Sequence, residues 1–307
     1  MRDRELPRMN AVDQFWIAFG QEPTIFFVGS AISIFDPSNL PSAPALTNAV
    51  INALLAHGAF ETVGDRFEGL TWPRMETVLQ EIAYCHEPSA LAALAPLRRA
   101  APNAYHRFLA HHLGRQIPRI YTTNQDELIE AALRDHGLQD GIDYSVWVPG
   151  QTWEASRLPA LIKLHGTLGQ PVSIRTTLRQ VSRGLPDDIA LQLVDDLQSI
   201  AFCVLGYSGN DVDIRPTFLR APPRRIHWLA RTHQGFPTLL AQERKSISVM
   251  QGDLSSFLPG QVLSAARECA PAVSFDMTFI DGFVRTYLIS RIVGLFKTIS
   301  ERSAPIV

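Results

Sequence analysis

Four short polar clusters in the 307-residue chain carry side chains of the types that handle sugars, phosphates and protons. Thr122-Thr123-Asn124-Gln125-Asp126 brings three amide or carboxyl side chains together after an apolar run. It leads into an apolar helical segment marked by Leu128, Ile129, Ala132 and Leu133. A helix N-cap explains Asn124 or Asp126 singly, because one side-chain acceptor satisfies free amides of a first turn. It explains the whole set poorly. Asn124, a neutral donor and acceptor, suits a carboxamide or a positioned water, and Asp126 suits a ribose hydroxyl or a ring amide. Lys163-Leu164-His165-Gly166 ends a second run in histidine, the natural general base near neutral pH, with a glycine that permits close approach. His57, His86, His111 and His112 lack that setting and read as structural. In Gly29-Ser30-Ala31-Ile32-Ser33 the glycine lets backbone approach a pyrophosphate at a helix start. A plain tight turn is an equal reading, since the full Gly-x-Gly-x-x-Gly pattern is absent. Gly206-Tyr207-Ser208-Gly209-Asn210-Asp211 offers two glycines, a hydroxyl and polar side chains to a ribose or phosphate. As an ordinary surface loop, it would use Asp211 and Asp213 to cap the next segment.

Each cluster follows a short apolar run: Thr24–Val28, Arg119–Thr122, Leu161–Leu164 and Phe202–Leu205. Arg225–Ala230 and Ser246–Met250 are two further runs. Runs of this length bounded by turn formers read as strands buried on both faces. The stretches between them are long enough for crossover helices, so the expected fold is α/β, a Rossmann-like parallel sheet with helices on both faces. Ligands of such sheets sit outside the carboxyl ends of the strands, where the polar clusters fall. One connection is too long for a simple crossover. Residues 47–117 contain several amphipathic segments and read as a helical insertion forming a subdomain over the cleft. Met75, Val78, Leu79, Ile82 and Ala83 make one buried face, and Pro102-Asn103 opens the last helix. Pro171 to Asp188 is a second, polar insertion. The domain reading is a catalytic unit over 1–260 and a helical extension over 261–307.

Composition narrows the function classes. The net charge of −2 gives no bulk attraction to phosphate backbones, so nucleic-acid binding by overall charge is not expected. Cys85, Cys203 and Cys269 stand far apart without a Cys-x-x-Cys, which argues against a structural zinc site or a disulfide framework and suits a reducing cytoplasm. The start MRDRELPRMN lacks the apolar stretch of a signal peptide. Asp281, Arg285, Arg291 and Lys297 interrupt the apolar segment from Phe279 to Ile299, so no membrane span is expected there. That segment carries a stripe of Phe279, Phe283, Tyr287, Ile292, Leu295, Phe296 and Ile299, either core packing or a docking surface.

Taken in order, the motifs resemble the sirtuin superfamily. Gly29-Ser-Ala-Ile-Ser33 is similar to its Gly-Ala-Gly-Ile-Ser cofactor loop, and Thr122-Thr-Asn-Gln-Asp126 to its Thr-Gln-Asn-Ile-Asp motif. His165-Gly166 matches its His-Gly, and Gly206-Tyr-Ser208 resembles its Gly-Thr-Ser. Leu40-Pro41-Ser42, the Pro102-Asn103…His106 helix and the Gly206–Asp211 loop resemble the prokaryotic defence-associated branch. That branch hydrolyses NAD⁺ and includes effectors paired with short Argonautes. The chain departs from sirtuin deacylases in three places. No cysteine follows His165 before Cys203 where they carry a four-cysteine zinc module, Ser42-Ala43-Pro44 replaces their Asp-Phe-Arg, and Ala31 stands at a usual glycine.

The resemblance implies an NAD⁺ hydrolase that cleaves the nicotinamide–ribose bond, with NAD⁺ as substrate and no metal. It implies Asn124, Asp126 and His165 as catalytic residues. Gly29, Ser30, Ala31, Ser33, Thr122, Thr123, Gly206, Ser208 and Asn210 would hold the nucleotide. A role in antiphage or anti-plasmid defence by NAD⁺ depletion (abortive infection) follows from the same likeness. So does control by homo-oligomerisation or by a protein partner such as a short Argonaute. The competing readings are a non-catalytic NAD⁺ or ADP-ribose sensor and a protein deacylase or ADP-ribosyltransferase.

Overall fold

A computed structural model describes residues 10–56, 74–85, 91, 93–98, 100–154, 157–220, 222–232, 234–261 and 263. The apolar stripe from Phe279 to Ile299, Cys269, His57 and His86 lie outside the described residues. The chain divides into two units: Met1–Asn39, Ala100–Arg175 and Val181–Glu268 contribute to one, and Leu40–Arg99, Thr176–Gln180 and Cys269–Val307 to the other.

The first unit is built on a seven-stranded sheet: β1 (Thr24–Val28), β2 (Arg119–Thr122), β3 (Ser145–Trp147), β4 (Ala160–Lys163), β5 (Ala201–Leu205), β6 (Arg225–Ala230) and β7 (Ile247–Gln251). Their spatial order is β3-β4-β2-β1-β5-β6-β7, and every neighbouring pair is parallel. The expected Rossmann-like architecture is therefore present. The six expected strands all form, with the third starting and ending one residue earlier, the fourth beginning at Ala201, and the last running one residue later. Sequence reading passed over β3, because three residues with only Trp147 fully buried leave no alternation to detect.

Strand residues alternate between two cores, as a period of two requires. Phe26, Val28, Ile120, Leu161, Cys203 and Leu205 face one side with Phe15, Phe19, Tyr105, Leu109 and Leu133. Ile25, Phe27, Tyr121, Ile162, Phe202 and Val204 face the other with Ile189, Leu193, Leu197, Phe218 and Leu240.

The helices of the chain are α1 (Ala11–Phe19), α2 (Ala43–Ala56), α3 (Met75–Cys85), α4 (Ala104–His112), α5 (Leu128–Asp135), α6 (Leu178–Val181), α7 (Asp187–Ser199), α8 (Arg215–Arg220) and α9 (Phe236–Glu243). In the first unit, α1, α4 and α5 cover one sheet face, and α7, α8 and α9 the other. In the second unit, α3 turns Val78, Leu79 and Ile82 inward, as its spacing indicates, while Met75 and Ala83 are half-buried. The Gln80 side-chain oxygen there accepts the Arg179 N–H at 2.9 Å.

Register decides what the sheet presents. Val28 pairs with Thr122 on one side and Leu205 on the other, and Thr122 pairs with Lys163. The residues that follow these four strand ends, beginning at Gly29, Thr123, Leu164 and Gly206, therefore leave the sheet along one edge. The chain proceeds from β1 to β2 in one direction and places β5 on the opposite flank, which puts a topological switch point between β1 and β5.

Candidate functional site

The site lies wholly within the first unit. Its centre is a buried set of hydrogen bonds that joins the loops after β1 and β2 to the start of α4. The Asn124 amide Nδ2–H donates to Ser33 Oγ at 3.1 Å. Ser33 Oγ–H donates to Asp126 Oδ2, also at 3.1 Å. Asp126 Oδ1 accepts the Leu128 N–H at 3.1 Å, so this residue caps α5 as well as serving the network. Behind Ser33 stands His106, whose Nε2 lies 3.1 Å from Ser33 Oγ.

The His106 tautomer follows from its other nitrogen. Nδ1 accepts the Asn103 N–H at 3.0 Å, so Nε2 carries the proton and donates to Ser33. Burial pushes the His106 pKa down to about 4; the nearby Asp126 charge opposes the shift and Arg107 adds to it. The ring is a neutral, fixed donor at ordinary pH. Asn103 in turn caps α4 through the Tyr105 N–H at 2.9 Å and donates its own amide to the Ile32 carbonyl at 2.8 Å. The helix start expected at Pro102-Asn103 thus braces the Ser30–Ser33 turn.

One atom of this network is unpaired among the described residues. Asn124 is 5% exposed, and no described group donates a hydrogen bond to its Oδ1. A buried acceptor left open costs free energy unless something donates to it.

His165 pairs with Asp213, a residue from the loop after β5. The imidazole Nε2 lies 3.2 Å from one carboxylate oxygen and 3.3 Å from the other. Gly166 has φ +80°, and a Cβ there would overlap the Ser173 carbonyl, so only glycine follows the histidine without displacing that segment. The Arg175 N–H bonds to the His165 carbonyl at 3.1 Å and holds the same turn.

Two contacts stitch the β2 and β4 loops together. Lys163, 1% exposed, donates from Nζ to the Asp126 carbonyl at 2.5 Å, to Glu130 Oε1 at 2.5 Å and to Thr167 Oγ1 at 3.0 Å. The Leu168 N–H reaches the Gln125 carbonyl at 3.0 Å. Burial raises the Glu130 pKa, and the Lys163 charge only partly offsets it.

The remaining expected residues have plainer positions. Thr122 is buried, and its hydroxyl oxygen accepts the Asn124 N–H at 3.0 Å, which shapes the turn. Thr123 is half-buried, with its N–H on the Val28 carbonyl at 3.4 Å. Ala31 is half-buried, while Ser30, Ser208 and Asn210 are exposed at the same edge. Gly29 and Gly206 pack against each other: a Cβ on Gly29 would sit 2.5 Å from the Gly206 oxygen. The space freed by the missing Cβ of Gly29 is taken by this chain's own backbone, which is how the β1 and β5 loops come so close.

Sequence reading placed none of His106, Asp213 and Glu130 in the site: Asp213 was read only as a cap, and His106 only as part of a helix motif. His106 occupies the N3 position after an Asn N-cap, a capping-box spacing that marks a histidine with a backbone partner. Asp213 carried no signal that separates it from Asp211. Among the described residues no cluster of three or more His, Cys, Asp or Glu side chains could hold a metal ion, and no helix is long and apolar enough to cross a membrane.

No curated protein matches the chain. Among solved structures it is similar to a Sir2 homolog–NAD complex at 15% identity and TM-score 0.48, over 91% of this chain and 94% of that one. It is also similar to a Sir2 variant with a deacetylated p53 peptide and 3′-O-acetyl ADP-ribose, at 15% identity and TM-score 0.42, over 78% and 100% of the two chains. A third is Sir2Tm bound to a propionylated peptide, at 14% identity and TM-score 0.44, over 78% and 92%. Residues 118–235, which carry Asn124, Asp126, His165, Ser208 and Asp213, match the family model described as SIR2-like domain.

Proposed function

We propose that the chain is a sirtuin-superfamily enzyme that binds NAD⁺ and hydrolyses its nicotinamide–ribose bond. The observation that carries this reading is the open Asn124 Oδ1, a buried acceptor at the carboxyl edge of the sheet beside Ser33 and Asp126. Its natural donor is a sugar hydroxyl or a water, which is what glycosidic-bond hydrolysis must position. NAD⁺ supplies a ribose bond to a good leaving group that breaks through an oxocarbenium-like state. Positioning and charge stabilisation matter more there than a strong nucleophile. Asn124 holds the attacking water or the ribose, and Asp126 supplies negative charge on the nicotinamide side. His165 receives the proton of the water. Ser30, Ser208 and Asn210, exposed on the flanking loops, hold the phosphates and the adenosine ribose in this reading. Gly29 and Gly206 contribute by bringing those loops together.

The defence role, the control of activity by self-association or a short Argonaute, and the cytoplasmic setting are part of the proposal on the strength of the motif likeness. Leu40-Pro41-Ser42 and Pro102-Asn103…His106 carry that likeness.

The test is nicotinamide release from NAD⁺ by the purified chain, alone and after self-association, beside the NAD⁺ content of cells expressing it. Asn124→Ala and His165→Ala are each expected to lower release on the order of 10²-fold or more. Unchanged rates in both variants overturn the assignment, and NAD⁺ binding without turnover in any state identifies a sensor instead.

A further inference from the structure

We propose that Asp213 is a positioning residue for His165, fixing the imidazole proton on Nε2 and making Nδ1 the ring's basic nitrogen. The pair is enclosed: the His165 side chain is 9% exposed and that of Asp213 0%. Both carboxylate oxygens face Nε2, at 3.2 and 3.3 Å. A carboxylate only accepts hydrogen bonds, so Nε2 must be the donor, and the lone pair of the neutral ring then resides on Nδ1.

The bland alternative is that Asp213 caps the helix that follows it. The backbone argues otherwise, because the Arg215 N–H bonds to the Asp211 carbonyl at 3.0 Å and the Thr217 N–H to the Ile214 carbonyl at 2.9 Å. The first turn of α8 is closed by main chain, and the Asp213 carboxylate points to the histidine. The His165 backbone is already held by Gly166 and by the Arg175 N–H. What the Asp213 carboxylate adds at the ring is an acceptor on Nε2, which fixes the nitrogen that carries the proton.

This inference rests on the hydrolase reading for its consequence. Under it, His165 Nδ1 takes a proton from the water whose oxygen bonds to ribose C1′. The electrons of the C1′–nitrogen bond leave with nicotinamide, and the imidazolium passes its proton to solvent. Asp213 touches neither substrate nor water and acts through the ring.

Long-range proton–nitrogen correlation spectra of the ¹⁵N-labelled chain report the tautomer directly, with His165→Gln removing the signals to be assigned. The wild-type ring is expected to show the Nε2-protonated pattern. Asp213→Asn is expected to disturb that pattern and lower kcat for nicotinamide release on the order of 10²-fold, with KM for NAD⁺ moving less than about threefold. Asp213→Glu is expected to restore part of the rate. An Nδ1-protonated ring in the wild type, or an Asp213→Asn protein with the wild-type ring pattern and rate, overturns the proposal. Should Asp213→Asn not fold, the wild-type spectrum decides alone: Nε2–H supports the role and Nδ1–H refutes it. If the wild type releases no nicotinamide, the hydrolase reading falls, while the ring spectrum still judges Asp213.

Discussion

His106 shows how one buried side chain can organise a site it does not line. Its Nδ1 takes the Asn103 N–H and its Nε2–H supports Ser33, which then orients both Asn124 and Asp126. The cost of burying a charge holds the folded-state pKa at about 4, against 6.5 for the free side chain. The unfolded chain therefore binds a proton that the folded chain refuses between those two values. Stability is fully present above about pH 6.5 and declines as pH falls toward 4, by roughly 3 kcal/mol from this residue. Urea denaturation of the wild type and His106→Asn across pH 7 to 4 checks this. The stability difference between the two proteins should shrink toward acid, and parallel pH profiles would show that the ring carries no such linkage.

Among the elements, the β2 and β4 loops depend on one buried cation. Lys163 sits on the last residue of β4, and its three hydrogen bonds reach the Asp126 carbonyl, Glu130 on α5 and Thr167. Removing Lys163 alone leaves Glu130 buried without its partner, a change that typically costs 3–5 kcal/mol, whereas replacing both members by apolar side chains is often close to neutral. Lys163→Met is thus expected to lower stability by about 3–5 kcal/mol and the double change Lys163→Met with Glu130→Leu by clearly less. Chemical denaturation of the three proteins measures the difference. A double variant as unstable as the single one would show that the hydrogen bonds to Asp126 and Thr167, not the ion pair, matter most. Lys163 stands beside the histidine in the sequence, yet nothing local reveals its partner, because Glu130 is 33 positions earlier.

For the whole molecule, the parallel order β3-β4-β2-β1-β5-β6-β7 brings residues from four separate segments to one edge. A ligand that binds there couples to global stability by mass action: at a hundredfold its dissociation constant it adds about 2.7 kcal/mol. NAD⁺ is expected to raise the melting temperature of His165→Ala, a protein that should bind without turnover, as it does for the wild type before hydrolysis. Thermal denaturation against NAD⁺ concentration tests this, and a flat response in both proteins removes NAD⁺ as the ligand of this edge.

The strand runs, the helix start at Asn103 and the polar residues just beyond each strand were legible in the sequence, because hydrophobic periodicity and capping are local. Asn124, Asp126 and His165 stood out for the same reason: each leaves an apolar run as a polar residue. The short β3 was not legible, since two half-buried residues and one buried one carry no period. Pairings between distant segments were not legible either. That Ser33 bonds to Asn124 and Asp126, that His106 stands behind Ser33, and that Asp213 faces His165 are consequences of strand order and register. The missing Cβ of Gly29 is the sharpest case. Its sequence setting suggests room for a phosphate, and packing fills that room with the Gly206 backbone. Local chemistry decides which residues leave the strands as polar groups; only the folded sheet decides which of them meet, because partners 48 to 93 positions apart are joined by topology rather than by spacing.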